Sequence, residues 1–246
     1  MPNILPYLPK DEIIAAFNSA AGNEIESGKF DHPESSAALA ANTFGFFITG
    51  AHRLPPFPAW PEMSKFHEVH LEKEMRFPWA GGRHPWLDAA VKSIDSLVGI
   101  ESKRFEPFRG RPKVNLSDAY WRDVWGDDMD GFQALRDDLQ AGIIKFEHLD
   151  AAQLVKHALG LKTQARELYR PHLLYLFAEP EKFADGRIIP KGAHKLHRHE
   201  IQIFADCVKG DAVTFASLSY DDLLTDWSQR NGLKHHAAKI RRHFFT

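Results

Sequence analysis

The chain has a single cysteine, Cys207, among its 246 residues. That excludes an internal disulfide framework and suits a reducing compartment. No apolar run approaches the ~20 residues needed to span a bilayer. The opening MPNILPYLPKDE lacks the basic start and long apolar stretch of a secretory leader. The expectation is a soluble cytoplasmic protein with no membrane partner. Neither charge sign is in large excess: 31 Lys and Arg against 33 Asp and Glu leave a net charge of -2. Many nucleic-acid binders are far more basic, although local patches steer a ligand more than the total does. A glycine-rich phosphate loop is absent, because Gly81-Gly82-Arg83 has no helix after it. Internal repeats and low-complexity linkers are absent too. The proline-rich LPPFPAWPEM (54–63) marks a loop. With 43% apolar and 26% charged residues, the composition is that of an ordinary globular chain long enough for a substantial core. We expect one domain over 1–246.

The apolar pattern predicts the elements. DHPESSAALAANTFGFFI reads as a helix over 34–48, with Pro33 and Glu34 suited to its start. FHEVHLEKEMRFPW alternates, with Val69, Leu71, Met75 and Phe77 on one side and Glu68, His70, Glu72, Glu74 and Arg76 on the other. WLDAAVK and LVGIESKRF read as two further strands joined by a hairpin at 93–96. FQALRDDLQAG predicts a helix that Gly142 helps to end, and HLDAAQLVKHALGL a stronger one with Asp150 at its start. PHLLYLFAEP has the continuous apolar run of a central strand covered on both faces. A helix over 194–208, a strand AVTFASL and a helix YDDLLTDWSQ complete the body. Helices interleaved with a mixed sheet imply a layered α/β fold.

Charge is misplaced in one stretch, PWLDAAVKSIDSLVGIESKRFEPF (85–108). Carboxylates and ammonium groups are costly inside a sheet. Side chains two apart on a strand share a face, so Glu101 and Lys103 project together and Ser102 opposite. A hairpin around 93–96 can bring Asp88 beside Glu101. Paired carboxylates repel unless a cation lies between them, and hard oxygen donors suit Mg²⁺ or Mn²⁺. A neighbouring lysine could orient water or neutralise charge on a phosphate.

Asp88, twelve intervening residues, and Glu101-Ser102-Lys103 at the end of an apolar strand resemble the signature of the PD-(D/E)xK, or restriction-endonuclease-like, nuclease superfamily. The residue before Asp88 is Leu87, with Pro85 two positions further back, which departs slightly from the motif's name. The predicted element order over about 30–180 also resembles the superfamily's αβββαβ core, a central mixed sheet flanked by helices, with 105–145 as an insertion. The resemblance implies Mg²⁺- or Mn²⁺-dependent hydrolysis of DNA phosphodiester bonds. Asp88 and Glu101 would be metal ligands and Lys103 the water-positioning base or electrostatic stabiliser. It also implies a role for Gln153, with Lys156 beside it, since related nucleases often place such a residue on the helix after the third strand. Glu34, Glu72 or Glu74 could add a carboxylate. The resemblance admits a homodimer, and also a catalytically inactive nucleic-acid- or protein-binding module on the same fold.

The remaining features carry less. His194, His197 and His199 lack a fourth metal-ligand partner and read as partly exposed histidines of a basic patch. Cys207 reads as a small buried apolar residue. The basic LKHHAAKIRRHFFT reads as a solvated final helix. Arg83, Lys92, Arg104, Arg109, Arg111 and Lys113 are candidate phosphate contacts, with RFEPFRGRPK the first choice of loop.

Overall fold

The structure is a computed structural model that describes residues 3–245. Its centre is a five-stranded mixed sheet: β1 (Glu68–Glu74), β2 (Trp86–Lys92), β3 (Ser96–Lys103), β4 (Arg170–Phe177) and β5 (Thr214–Ser219), in that spatial order. The first three strands pair antiparallel and the last three parallel. Among the described residues seven α-helices cover it: α1 (Lys10–Ser19), α2 (Ser36–Phe44), α3 (Asp130–Ala141), α4 (Ala151–Ala165), α5 (Lys191–Cys207), α6 (Tyr220–Ser228) and α7 (Lys234–Phe244). One apolar core lies between the sheet and α1, α2, α6 and α7; the other lies between the opposite face and α3, α4 and α5. This three-layer α/β fold, with α2-β1-β2-β3-α4-β4 at its heart, is the expected restriction-endonuclease-like core.

Local chemistry sets the boundaries. The Ser35 side chain accepts from the Ala38 N–H at 3.0 Å, so α2 begins at Ser36 and not at 34. Glu34 is occupied elsewhere, as described below. Asp150 caps α4 by accepting from the Gln153 N–H at 2.9 Å, and Gly142 ends α3 at φ 68°. In β4, Leu173, Tyr175 and Phe177 enter one core while Leu174 and Leu176 enter the other, which explains its unbroken apolar run.

Several expectations need correction. The helix α1, which buries Ile13 and Phe17, was not foreseen. In β1 the predicted alternation holds only to Leu71. Glu72 adopts φ 46°, and beyond it Met75 and Phe77 enter the core opposite to Val69 and Leu71. Cys207 is exposed at the end of α5. His197 is fully buried, against the Tyr175 hydroxyl at 2.9 Å. The basic final helix is solvated on one face only, burying His236, Ala237, Ile240 and Phe244. Among the described residues no helix is long and apolar enough to cross a membrane.

Buried His236 carries a pH prediction. Its Nε2–H donates to the Thr43 carbonyl at 3.0 Å and its Nδ1 accepts from the Tyr7 hydroxyl at 2.8 Å, so the ring is held neutral. Burial pushes its pKa down to about 4. Below the ordinary histidine value of about 6.5 the unfolded chain takes up a proton that the native one does not, so this site loses stability as pH falls. Between pH 7 and 5, urea denaturation should show the wild type losing about 2 kcal/mol more than His236→Gln. Parallel losses would contradict this.

Candidate active site

The site forms where β2 and β3 part. Their pairing runs from Lys92 opposite Leu97 to Ala89 opposite Ile100, and no further. Asp88, next along, turns its carboxylate between the strands, where Oδ2 accepts from the Ser102 N–H at 2.7 Å. A side chain thus replaces a ladder bond, and the strands open around it. Glu101 and Lys103 share the β3 face turned toward α4, as alternation requires, and Lys103 Nζ donates to Glu101 Oε1. Ser102 faces the other way, to the Tyr220 hydroxyl at 2.7 Å. Gly99 lets α4 seat closely here, since a Cβ would come within 2.4 Å of Leu87 and 2.8 Å of Leu161. From α4, His157 Nε2 lies 3.5 Å from Glu101 Oε2.

The acids crowd one another. Burial raises the Asp88 carboxyl above its ordinary range, and the charge of Glu101 pushes it further. Glu72 is raised by burial and then by Asp88 and Glu101. Burial also raises Glu101, against the pull of Lys103. On Lys103 burial acts downward, but the carboxylates of Glu101, Asp88 and Glu106 outweigh it and hold the ammonium protonated. His157 falls to about 3, through burial and then the charge of Lys103.

Asp88 opens into a cleft of about 700 Å³, also lined by Glu72, Glu106 and the segment between α1 and α2. Glu106 was not foreseen. After Lys103 the chain leaves the strand and turns through a short 3-10 segment (Glu106–Phe108). That turn returns the Glu106 carboxylate to the cleft, where Ser36 Oγ donates at 2.5 Å and the Arg104 and Phe105 N–H groups at 2.9 and 3.0 Å. His157 was missed too, although it lies four residues after Gln153 on the same helical face.

The other candidates lie on α4, at the end of β1 and just before α2. Gln153 sits one turn before His157 on α4, half-buried. Lys156 reaches toward the Asn115 carbonyl at 3.4 Å, and Glu74 lies 3.7 Å from Arg76. Glu34 lines the cleft, but its carboxylate is taken by Arg109 at 2.5 Å and the Ala184 N–H at 2.6 Å. The arginines of the loop first chosen for phosphate contacts have partners within the chain: Arg104 is buried against the Pro33 and Phe244 carbonyls, Arg109 pairs with Glu34 and Arg111 with Glu147. Lys92 pairs with Glu68 at 2.9 Å.

The donor set matches a hard divalent cation. Two carboxylate oxygens are what Mg²⁺ usually takes from a protein, keeping waters and substrate oxygens for its other positions. The mutual repulsion of Asp88, Glu101 and Glu72 is what such a cation relieves. Among the described residues no three His, Cys, Asp or Glu side chains converge into a ready-made cluster for a metal.

No curated protein and no solved structure matches the chain. A family model does: that of the restriction endonuclease associating with ARP, over residues 2–245. With that match over nearly its whole length, and with the fold to go with it, the chain belongs to this restriction-endonuclease-like nuclease family.

Proposed function

We propose that the protein is a metal-dependent deoxyribonuclease whose active site is built on Asp88, Glu101 and Lys103. One observation carries this reading: the opening of β2 from β3 sets the Asp88 carboxylate beside the Glu101–Lys103 pair at an accessible cleft. In hydrolysis a water oxygen forms a new bond to phosphorus as the bond to the leaving ester oxygen breaks, and charge builds on the phosphoryl oxygens. A bound Mg²⁺ or Mn²⁺, held by Asp88 and Glu101, would supply Lewis-acid stabilisation of that charge and a more acidic water. Asp88 is kept in place by the Ser102 N–H, and Glu101 by Lys103 and His157. Lys103, whose ammonium resists deprotonation amid the carboxylates, serves as electrostatic stabiliser and water-orienting donor in preference to a base. Gln153, on the helix that carries His157, is the further polar group on the α4 side, available to contact water or phosphate.

Cleavage of supercoiled plasmid should require Mg²⁺ or Mn²⁺ and stop on chelation with EDTA, returning when the metal is restored. Cleavage that persists in EDTA would overturn the metal dependence. Binding of DNA with no cleavage in either metal would favour the inactive module.

A further inference from the structure

Of the cations first expected to hold substrate, Lys92, Arg104, Arg109 and Arg111 are engaged within the chain, yet a phosphate backbone must reach a cleft lined by Glu24, Glu72, Asp88 and Glu106. Such a surface repels DNA unless counter-charge stands close by. Two groups in the cleft supply it. Lys29 is exposed, lines the cleft and has no ion-pair partner among the described residues, although several acids share the cleft with it. His32 is exposed on the same wall. Its Nδ1 accepts from the Glu34 N–H at 3.2 Å, so the ring proton lies on Nε2, which has no partner among the described residues.

Both residues stand on a wall that is already fixed. Between them Phe30 is buried against Phe17 of α1, ring centroids 4.9 Å apart, and its N–H donates to the Glu24 carbonyl at 2.9 Å. Asp31 accepts from the Asn3 N–H at 2.6 Å. Two residues after His32, Glu34 is tied to Arg109 and to the Ala184 N–H. The backbone that carries Lys29 and His32 therefore needs little further ordering when they engage a ligand.

We propose that Lys29 and His32 form a phosphate-binding subsite of the cleft, holding a backbone phosphodiester of the DNA strand next to the one presented at Asp88. The subsite rests on the nuclease reading for its substrate, and its test reads binding in place of cleavage. Fluorescence anisotropy of a labelled 20-base-pair duplex is measured in Ca²⁺ across a salt series. Three proteins are compared: wild type, Lys29→Ala/His32→Ala, and Lys209→Ala. Lys209 serves as control because it precedes β5, at the end of the parallel strands opposite Lys103. The double variant should raise Kd about tenfold and lower the slope of log K against log salt by about one or more. Lys209→Ala should change neither, and the double variant should stay folded with a thermal midpoint near that of the wild type, since it gives up only the His32 contact to the Glu34 N–H. An unchanged Kd and slope in the double variant, an equal loss in Lys209→Ala, or no duplex binding by the wild type would overturn the subsite. Loss of the catalytic assignment would show separately, as Asp88→Asn cleaving like the wild type.

Discussion

Asp88→Asn should lose at least about a hundredfold in Mg²⁺-dependent plasmid cleavage while folding as well as the wild type or better. The two halves of this result have one origin. Asparagine keeps an oxygen that can accept the Ser102 N–H, now made at 2.7 Å, so the parting of β2 and β3 is preserved. What it removes is a negative charge that burial and Glu101 both oppose. Removing a charge held against repulsion does not weaken a fold, but here it removes one of the two carboxylates that would hold the metal. Activity lost with stability kept is the signature of a group retained for function. Full activity in the variant, or a large fall in its thermal midpoint, would contradict the account.

Lys103→Met is the second large effect, and it goes the other way on stability. Glu101 is 2% exposed, and Lys103 is the cation that pairs with it. Removing one partner of a buried pair leaves an uncompensated charge, although Glu101 can take up a proton to limit the loss. Urea denaturation should show a destabilisation of about 2 kcal/mol, with cleavage down at least about a hundredfold. Adding Glu101→Gln to Lys103→Met should recover most of the stability and none of the activity. If the two substitutions were instead additive in stability, the pair would not be the coupled unit described here.

How far the site was legible follows from what each residue depends on. Glu101 and Lys103 could be read because period-two alternation puts them on one face, and the hairpin brings Asp88 level with Glu101; alternation itself breaks at Asp88, since Leu87 packs in the same core as Ala90 while Ala89 and Val91 pack in the other. Ser102 on the opposite face followed from the same rule. Glu106 was hidden because its position depends on how the chain turns after β3 ends, which alternation cannot supply. Glu72 was seen as a candidate, but its left-handed backbone was not. That conformation changes the face on which Met75 and Phe77 lie, so the expected β1 stripe was right for half its length. The arginines of RFEPFRGRPK read as free because charge runs usually are. Their partners, Glu34, Glu147 and the Pro33 and Phe244 carbonyls, lie 36 to 140 residues away along the chain, beyond local pattern.

The central claim is that Asp88 and Glu101 together hold a divalent ion. Titration with Mn²⁺, followed by loss of the free-ion electron paramagnetic resonance signal, measures this without any choice of DNA. The wild type should bind Mn²⁺ at a site that Mg²⁺ competes for, and both Asp88→Asn and Glu101→Gln should weaken that binding at least about tenfold. Binding of equal strength in all three proteins would contradict the account.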